Sequence, residues 1–291
     1  MTGATGTIGR ALLPLLQNDT TLTIRAATRH PHRQESTERL EWVRFDWDAP
    51  DDIDEIVMGV NRLFILPPPA THPLPMITRV LERAAAEGVG HVVLLSTLGA
   101  DFEPGFAFGR WAREGEQAVA ASGLPYTVLR PNSYMTNFLT TQRPDPDGAL
   151  RLPWKDGATS FIDPADAAAV AACVLRRPDG HAGATYELTG PEALDLGAVA
   201  AALSAATGAP IHYRNVTLAD AATRLTDRGV PDAMVTAFGE LHQVMASGAR
   251  RRTTDTVLRM TGQPPRTFAA FAARHADAWR ELVPSETASI S

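Results

Sequence analysis

Three glycines open the chain at the spacing G-x-x-G-x-x-G, in Thr2-Gly3-Ala4-Thr5-Gly6-Thr7-Ile8-Gly9. They run directly into an apolar helical pattern, Ile8, Leu12, Leu13, Leu15 and Leu16. Glycine permits a tight turn, lets backbone approach a pyrophosphate and lets a helix pack on a sheet, while the N–H groups at the helix start attract negative charge. The stretch therefore reads as a dinucleotide phosphate turn carried by Gly3, Gly6 and Gly9. The choice between nucleotides is made about twenty residues on, where an acid holds the ribose of NAD and an arginine accepts the 2′-phosphate of NADP. Arg29 stands twenty residues after Gly9, with His30 and Arg33 close by and no acid before Glu35, so NADP(H) is the expected cofactor.

The groups able to do further chemistry are few. Lys155 is the only lysine, so any mechanism that needs a lysine must use that residue. Ser96-Thr97 ends an apolar run and can offer hydroxyls to a bound carbonyl. Glu114 and Glu116 lie two apart, do not share a helix face and are expected in solvent. His72 is expected on the surface. Cys173 sits alone in an apolar run, which excludes an intramolecular disulfide and a cysteine metal cage. No His/Asp/Glu spacing resembles a metal site and no G-x-S-x-G elbow is present, so no metal is expected.

Strands and helices alternate in the elements that must carry these residues, which predicts an α/β fold with a mostly parallel sheet. Strands are expected at Leu22–Ala27, Trp42–Asp46, Arg62–Leu66, His91–Ser96 and Tyr126–Arg130, with helices near Ile53–Val57, over Met76–Glu87 and up to Ser122. Asp46-Trp47 falls at a strand's carboxyl end, where an adenine ring usually lies. Pro67-Pro68-Pro69 cannot continue a ladder and is expected to form a rigid edge beside the cofactor. A phosphate turn needs a preceding strand of about five or six residues, yet only Met1 and Thr2 precede Gly3. The first, central strand is therefore missing or truncated and should leave a gap between its neighbours, and the start site is expected to lie downstream of the true one.

Beyond Asn132 the texture changes. Residues 132–155 are loop-rich, an alanine-rich helix follows Asp163-Pro164, strands are expected at Thr185–Leu188 and Ile211–Val216 around a helix at Gly197–Thr207, and two or three helices finish the chain before a frayed Ser285–Ser291. This divides the chain into a nucleotide-binding domain over 1–132, with 157–186 returning to it, and a substrate lobe over 133–156 and 187–291.

With 291 residues, 44% of them hydrophobic, the chain can bury a core without staples. Its net charge of −6 and the absence of a basic run longer than Arg250-Arg251-Arg252 give nucleic acid no surface. No signal peptide and no run of eighteen apolar residues appear, so a soluble cytoplasmic protein, a monomer or homodimer without a membrane partner, is expected.

The chain resembles the NmrA-like family of atypical short-chain dehydrogenase/reductases. The matching words are the Thr2–Gly9 turn, Ala27-Thr-Arg-His-Pro31, Leu95-Ser-Thr-Leu-Gly-Ala100 and Ser122-Gly-Leu-Pro-Tyr-Thr-Val-Leu-Arg-Pro-Asn132. Ser160-Phe-Ile-Asp-Pro164, Tyr186-Glu-Leu-Thr-Gly-Pro191 and Thr261-Gly-Gln-Pro-Pro-Arg-Thr-Phe268 extend the match to about Leu282. The resemblance implies a Rossmann-type doubly wound sheet with a small C-terminal lobe. It also implies dinucleotide contacts from Gly3, Thr5, Gly6, Thr7, Ile8, Gly9, Arg29, Asp46, Trp47, Leu66 and Pro67, with Ser96 and the Pro131-Asn132-Ser133 turn flanking the nicotinamide.

The departures bear on mechanism. Classical members of the wider superfamily protonate the nascent alkoxide with a Tyr assisted by a Lys four residues on. The corresponding stretch here, Phe106-Ala-Phe-Gly-Arg-Trp-Ala-Arg-Glu-Gly-Glu-Gln117, has neither, and the His that many NmrA-like relatives carry is Ala112. The expected activity is reduction of a carbonyl on a bulky aromatic substrate, of polyketide or quinone type, without that acid. Ser96, helped by Thr97, would hydrogen-bond the carbonyl oxygen, and the proton would come from water or from a neighbouring phenol of the substrate. Phe106, Phe108, Trp111, Tyr134, Met135, Phe138 and Trp154, with Phe102, are the candidate walls of such a pocket. The competing expectation is a regulator that senses NADP(H) without turnover.

Overall fold

The computed structural model describes residues 1–49, 52–68 and 74–281. Pro69, His72 and Ser285–Ser291 lie outside the described residues. The chain divides into two compact units. The first comprises Met1–Pro131, Pro164–Leu188 and Thr256–Gln263; the second comprises Asn132–Asp163, Thr189–Asp255 and the chain from Pro264 onward. The return to the first unit thus begins at Pro164 rather than at 157, and a late helix, Thr256–Thr261, joins it as well.

In the first unit, α1 (Thr7–Gln17), β1 (Ile24–Thr28), β2 (Leu40–Arg44), α2 (Ile53–Val57), β3 (Arg62–Ile65), α3 (Leu74–Ala86), β4 (His91–Leu95), α4 (Ala107–Ala121) and β5 (Tyr126–Pro131) follow one another. They are joined later by α5 (Pro164–Arg176) and β7 (Ala184–Leu188). The strands pair in parallel as β1-β2 and as β3-β4-β5-β7. Burial on both faces explains the unbroken apolar run of β4, whose five residues are all buried. On one face, Ile56, Val57, Ile77, Val80, Leu81 and Val119 from α2, α3 and α4 cover the strands. On the other, α1 packs with α5, whose small residues Ala167, Ala168 and Ala171 are fully buried and allow close approach.

Strands β1 and β3 do not pair with each other, and Met1 and Thr2 lie between them. The Met1 carbonyl accepts from Ala27 N–H at 2.9 Å and Thr2 N–H donates to Phe64 O at 3.0 Å, so the first residues alone tie β1 to β3 at the strands' carboxyl ends. Thr2 Oγ1 reinforces the joint by accepting from Leu66 N–H at 2.8 Å. The resulting spatial order, β2-β1-(Met1–Thr2)-β3-β4-β5-β7, is that of a doubly wound sheet.

The second unit holds β6 (Ala149–Leu152), α6 (Leu196–Thr207), β8 (His212–Asn215), α7 (Leu218–Asp227), α8 (Asp232–Ala246), α10 (Phe268–Arg274) and α11 (Ala276–Arg280); α9 is the Thr256–Thr261 helix of the first unit. Strand β6, inside the stretch expected to be loop, is revealed only by its parallel partner β8, which lies some sixty residues further along. Its Arg151 is pinned by Asp145 at 2.6 Å, and Arg224 of α7 meets the same carboxylate at 2.7 Å. More helices follow β8 than the two or three expected, because several are short and carry little periodicity. The core gathers Phe138, Trp154, Phe161, Phe268, Phe271 and Trp279 around α6.

Buried in this core is His242, whose Nδ1 accepts from Trp154 Nε1–H at 2.8 Å. An indole N–H can only donate, so the imidazole is neutral with its proton on Nε2. Burial lowers its pKa from 6.5 to about 4. A histidine that resists protonation when folded contributes stability above pH 6.5 that is lost as pH falls toward 4, because the unfolded chain binds the proton first. At about 1.4 kcal/mol per pH unit the whole difference is about 3 kcal/mol, of which about 2.5 kcal/mol is lost by pH 4.5. Urea unfolding at pH 7.5 and pH 4.5 should show the wild type losing that much more stability than His242→Gln, which keeps an acceptor for Trp154. Equal losses in the two proteins would contradict the assignment.

Candidate functional site

The glycines of the opening turn have distinct physical roles. Gly3 has φ +64°, and a Cβ there would also stand 2.4 Å from Leu66 Cδ2. Gly6 N–H closes the turn onto Gly3 O at 3.0 Å. At Gly9 a Cβ would lie 2.1 Å from Gly3 O and 2.6 Å from Ala4 Cα, so the helix can approach the turn only without a side chain. Helix α1 begins with Gly6 as its N-cap, without a capping side chain and without an acid in its first turn. Its first N–H groups, which no helical carbonyl reaches, face the mouth of the turn and suit an anion. These residues fit a dinucleotide pyrophosphate.

Arg29 follows β1 and is exposed, with no ion pair among the described residues. Neighbouring Arg25 is committed elsewhere, to Glu41 at 2.9 Å and to Met58 O at 2.6 Å, whereas Arg33 ends the short helix Pro31–Arg33 beside Arg29 and is exposed. Asp46 follows β2 and its carboxylate accepts from Asp48 N–H at 3.2 Å, which shapes the turn that carries Trp47. Trp47 packs edge-on against Phe45, with ring centroids 5.1 Å apart. Leu66 and Pro67 are half-buried after β3. Turn, Arg29, Asp46-Trp47, Leu66-Pro67 and Ser96 all emerge at the carboxyl ends of parallel strands, the ligand-binding edge of this architecture.

At the end of β4, Ser96 N–H donates to Leu129 O at 2.7 Å, and Pro131 O at the end of β5 accepts from Leu98 N–H at 2.9 Å. The Ser96 hydroxyl donates to Glu116 Oε1. Glu116 in turn receives a two-pronged clasp from Arg130, Nε to Oε1 at 2.8 Å and Nη2 to Oε2 at 2.6 Å, while Arg130 Nη1 reaches Asp101 at 2.5 Å. The Glu116 carboxylate holds the Arg130 guanidinium above its ordinary range.

This overturns two expectations. Glu116 is not a solvated surface acid, since only 12% of its side chain is exposed. The Ser96 proton expected to meet a carbonyl oxygen is already used. A signal for the pair was present: a charged residue at the end of an apolar parallel strand requires a partner, and the preceding helix supplies one beside its buried Gly115 and Val119.

The aromatic set divides. Phe108 and Trp111 on α4 are half-buried and edge-on to each other, centroids 5.3 Å apart, with Phe102 half-buried nearby. Phe106 is 1% exposed and packs over Gly99 and Gly109, so it supports the loop rather than lining an open surface. In the second unit, Met135, Phe138 and Trp154 are fully buried in the core. Their apolar surface is consumed by Phe161, Phe268 and the rings around them, and they offer no face to a ligand.

Asn132 is likewise an anchor rather than a cofactor contact. Its Nδ2 donates to Ser160 Oγ and Arg250 O, and its Oδ1 accepts from Arg250 Nε and Ser133 N–H, leaving no free valence. Ser133 and Tyr134 are half-buried. The Tyr134 hydroxyl has no hydrogen-bond partner among the described residues, and burial pushes its pKa up. Lys155 sits in a loop of this unit with φ 50°, its N–H bonded to Asn215. Among the described residues, no helix is long and apolar enough to cross a membrane.

A family model described as NAD(P)H-binding matches residues 3–178. The chain is 35% identical over 280 residues to the NAD(P)H azoreductase of Xenophilus azovorans, covering 95% of this chain and 97% of that one. Its structure is similar to that of the NADPH-dependent quinone oxidoreductase of Escherichia coli in complex with NADPH, with a TM-score of 0.83 and 28% identity over 94% of this chain and 98% of that one. The fold also matches the transcriptional regulator NmrA bound to NAD, with a TM-score of 0.76 and 17% identity over 96% and 95% of the two chains. With the phosphate turn, the strand order and these likenesses in agreement, the chain belongs to the NAD(P)H-binding family.

Proposed function

We propose that the protein is an NADPH-dependent reductase of aromatic carbonyl compounds, with quinones as the preferred class. The observation that carries this reading is the commitment of the Ser96 proton to Glu116 on a helix that also lacks Tyr and Lys. Without a positioned acid, the favoured acceptor is one whose reduction leaves a weak base. Hydride addition to a quinone leaves a phenolate, whose parent acid has a pKa of about 10. Addition to a simple ketone leaves an alkoxide about as basic as hydroxide, whose parent water has a pKa of about 15.7. Water can protonate the first readily.

When bound, the dihydronicotinamide supplies the hydride. The chain's own part is to hold and orient: the Gly3–Gly9 turn and the start of α1 take the pyrophosphate, Arg29 takes the 2′-phosphate, and Asp46-Trp47 and Leu66-Pro67 border the nucleotide. Orientation of this kind is worth about 7 to 11 kcal/mol, more than the 10² to 10⁴ in rate that a general acid typically adds. Phe108 and Trp111 supply flat apolar surface. The similarity to an azoreductase and to a quinone oxidoreductase, both of which reduce conjugated acceptors, supports the same class.

The test is to follow absorbance at 340 nm with NADPH or NADH and a panel of 1,4-benzoquinone, 1,4-naphthoquinone, an azo dye and acetophenone. NADPH should be oxidised with the quinones at least about 100-fold faster than with acetophenone, the margin a missing acid imposes, and NADPH should be preferred to NADH. Tight NADPH binding with no oxidation across the panel would instead make the protein an NADP(H)-sensing regulator.

A further inference from the structure

The direction of the Ser96 hydrogen bond decides what can meet that hydroxyl. Its single proton goes to Glu116 Oε1. Glu116 is held as an acceptor because Arg130 donates to both of its oxygens, at 2.8 and 2.6 Å, with only 14% of the arginine and 12% of the glutamate side chain exposed. Asp101 takes the remaining edge of the guanidinium. A carboxylate held by a guanidinium therefore stands behind Ser96. A hydroxyl that has given its proton to a carboxylate keeps only lone pairs for another partner. Ser96 remains half-buried at the carboxyl end of β4, on the ligand-binding edge of the sheet.

We propose that Glu116, clamped by Arg130, is a positioning residue that fixes Ser96 as a hydrogen-bond acceptor, and that Ser96 thereby selects aromatic substrates carrying an N–H donor beside the carbonyl to be reduced. The proposal rests on the reductase reading and deepens it. A bare carbonyl oxygen placed at Ser96 sets lone pairs against lone pairs. A primary amine on the neighbouring ring position keeps one N–H on that carbonyl and donates the other to Ser96 Oγ, and the bonds from ligand to Ser96 and from Ser96 to Glu116 then run in one direction and reinforce each other. No proton is transferred in this arrangement; the effect is on binding and placement.

The measurement is calorimetric binding of 5-amino-1,4-naphthoquinone, whose second N–H is free, and 5-(dimethylamino)-1,4-naphthoquinone, which has none, to protein saturated with NADP⁺, which cannot reduce them. The wild type should bind the amino compound about tenfold more tightly, the worth of one hydrogen bond. Glu116→Gln and Ser96→Ala should each bring the two affinities to within about twofold. A merely structural role for Glu116 would weaken both ligands together and leave their ratio unchanged. Should Glu116→Gln fail to fold, Ser96→Ala removes one half-buried hydroxyl and reads the same ratio. A wild-type ratio near one, or a preference that survives in Ser96→Ala, overturns the proposal; a preference lost in Ser96→Ala but kept in Glu116→Gln overturns the part assigned to Glu116. Oxidation of NADPH by unsubstituted 1,4-naphthoquinone, measured separately, tests the reductase reading itself.

Discussion

Gly9→Ala is expected to weaken NADPH binding by at least about 100-fold and to destabilise the protein by about 1 to 3 kcal/mol. The added Cβ would stand 2.1 Å from Gly3 O and 2.6 Å from Ala4 Cα, both backbone atoms, so no side-chain rotation can relieve the overlap. The first turn of α1 must move off the turn that precedes it. Its N–H groups then no longer converge on one phosphate, and each charge-assisted bond lost costs about 1.5 to 3 kcal/mol. Gly6→Ala provides the contrast: its Cβ would meet only Gly3 O, at 3.3 Å. That variant should stay within about 0.5 kcal/mol of wild-type stability while losing NADPH affinity, because the new methyl stands where a pyrophosphate approaches. Urea unfolding and fluorescence titration with NADPH separate the two effects. Wild-type NADPH affinity in Gly9→Ala would remove the turn from the cofactor site.

Trp154→Ala should cost about 3 to 5 kcal/mol of stability. The indole is fully buried, stacks on Phe161 with centroids 6.2 Å apart and donates to His242. Alanine would leave a ring-sized cavity and strip His242 of its donor. Trp154→Phe retains most of the ring, so it should fold, and its KM for 1,4-naphthoquinone should match the wild type because the side chain meets only the core. A KM raised about tenfold in Trp154→Phe at near-native stability would return this residue to the ligand's wall.

Much of the first unit was readable from local pattern. The short helix expected near Ile53–Val57 falls there, and β3, β4 and β5 differ from expectation by one residue at their ends. Strands buried on both faces write themselves as short apolar runs, and Gly88, Gly123 and Gly208 close helices with positive φ. The second unit was less legible. Strand β6 is four residues whose pairing depends on β8, and no local window contains both.

The aromatic residues show the same limit from the chemical side. Phe108 and Phe106 are two apart and of one type, yet one is half-exposed and the other 1% exposed, because side chains two apart point to different sides of the chain and only packing decides which side is covered. Composition cannot separate a pocket wall from a core ring, since both are selected for apolar area.

The sequence by itself determined the nucleotide half of this protein: the glycine turn, the arginine after the next strand and the absence of Tyr and Lys from α4 are all matters of residue type at fixed spacing. Tertiary structure alone decided the state of Ser96. Its partner Glu116 is twenty residues away and Arg130 thirty-four, and the three meet because β4 and β5 pair in register with α4 laid across them. Spacing along a chain records which groups are available. Which way a hydroxyl proton points depends on what acceptor the fold brings beside it, and here that acceptor is a carboxylate held by an arginine.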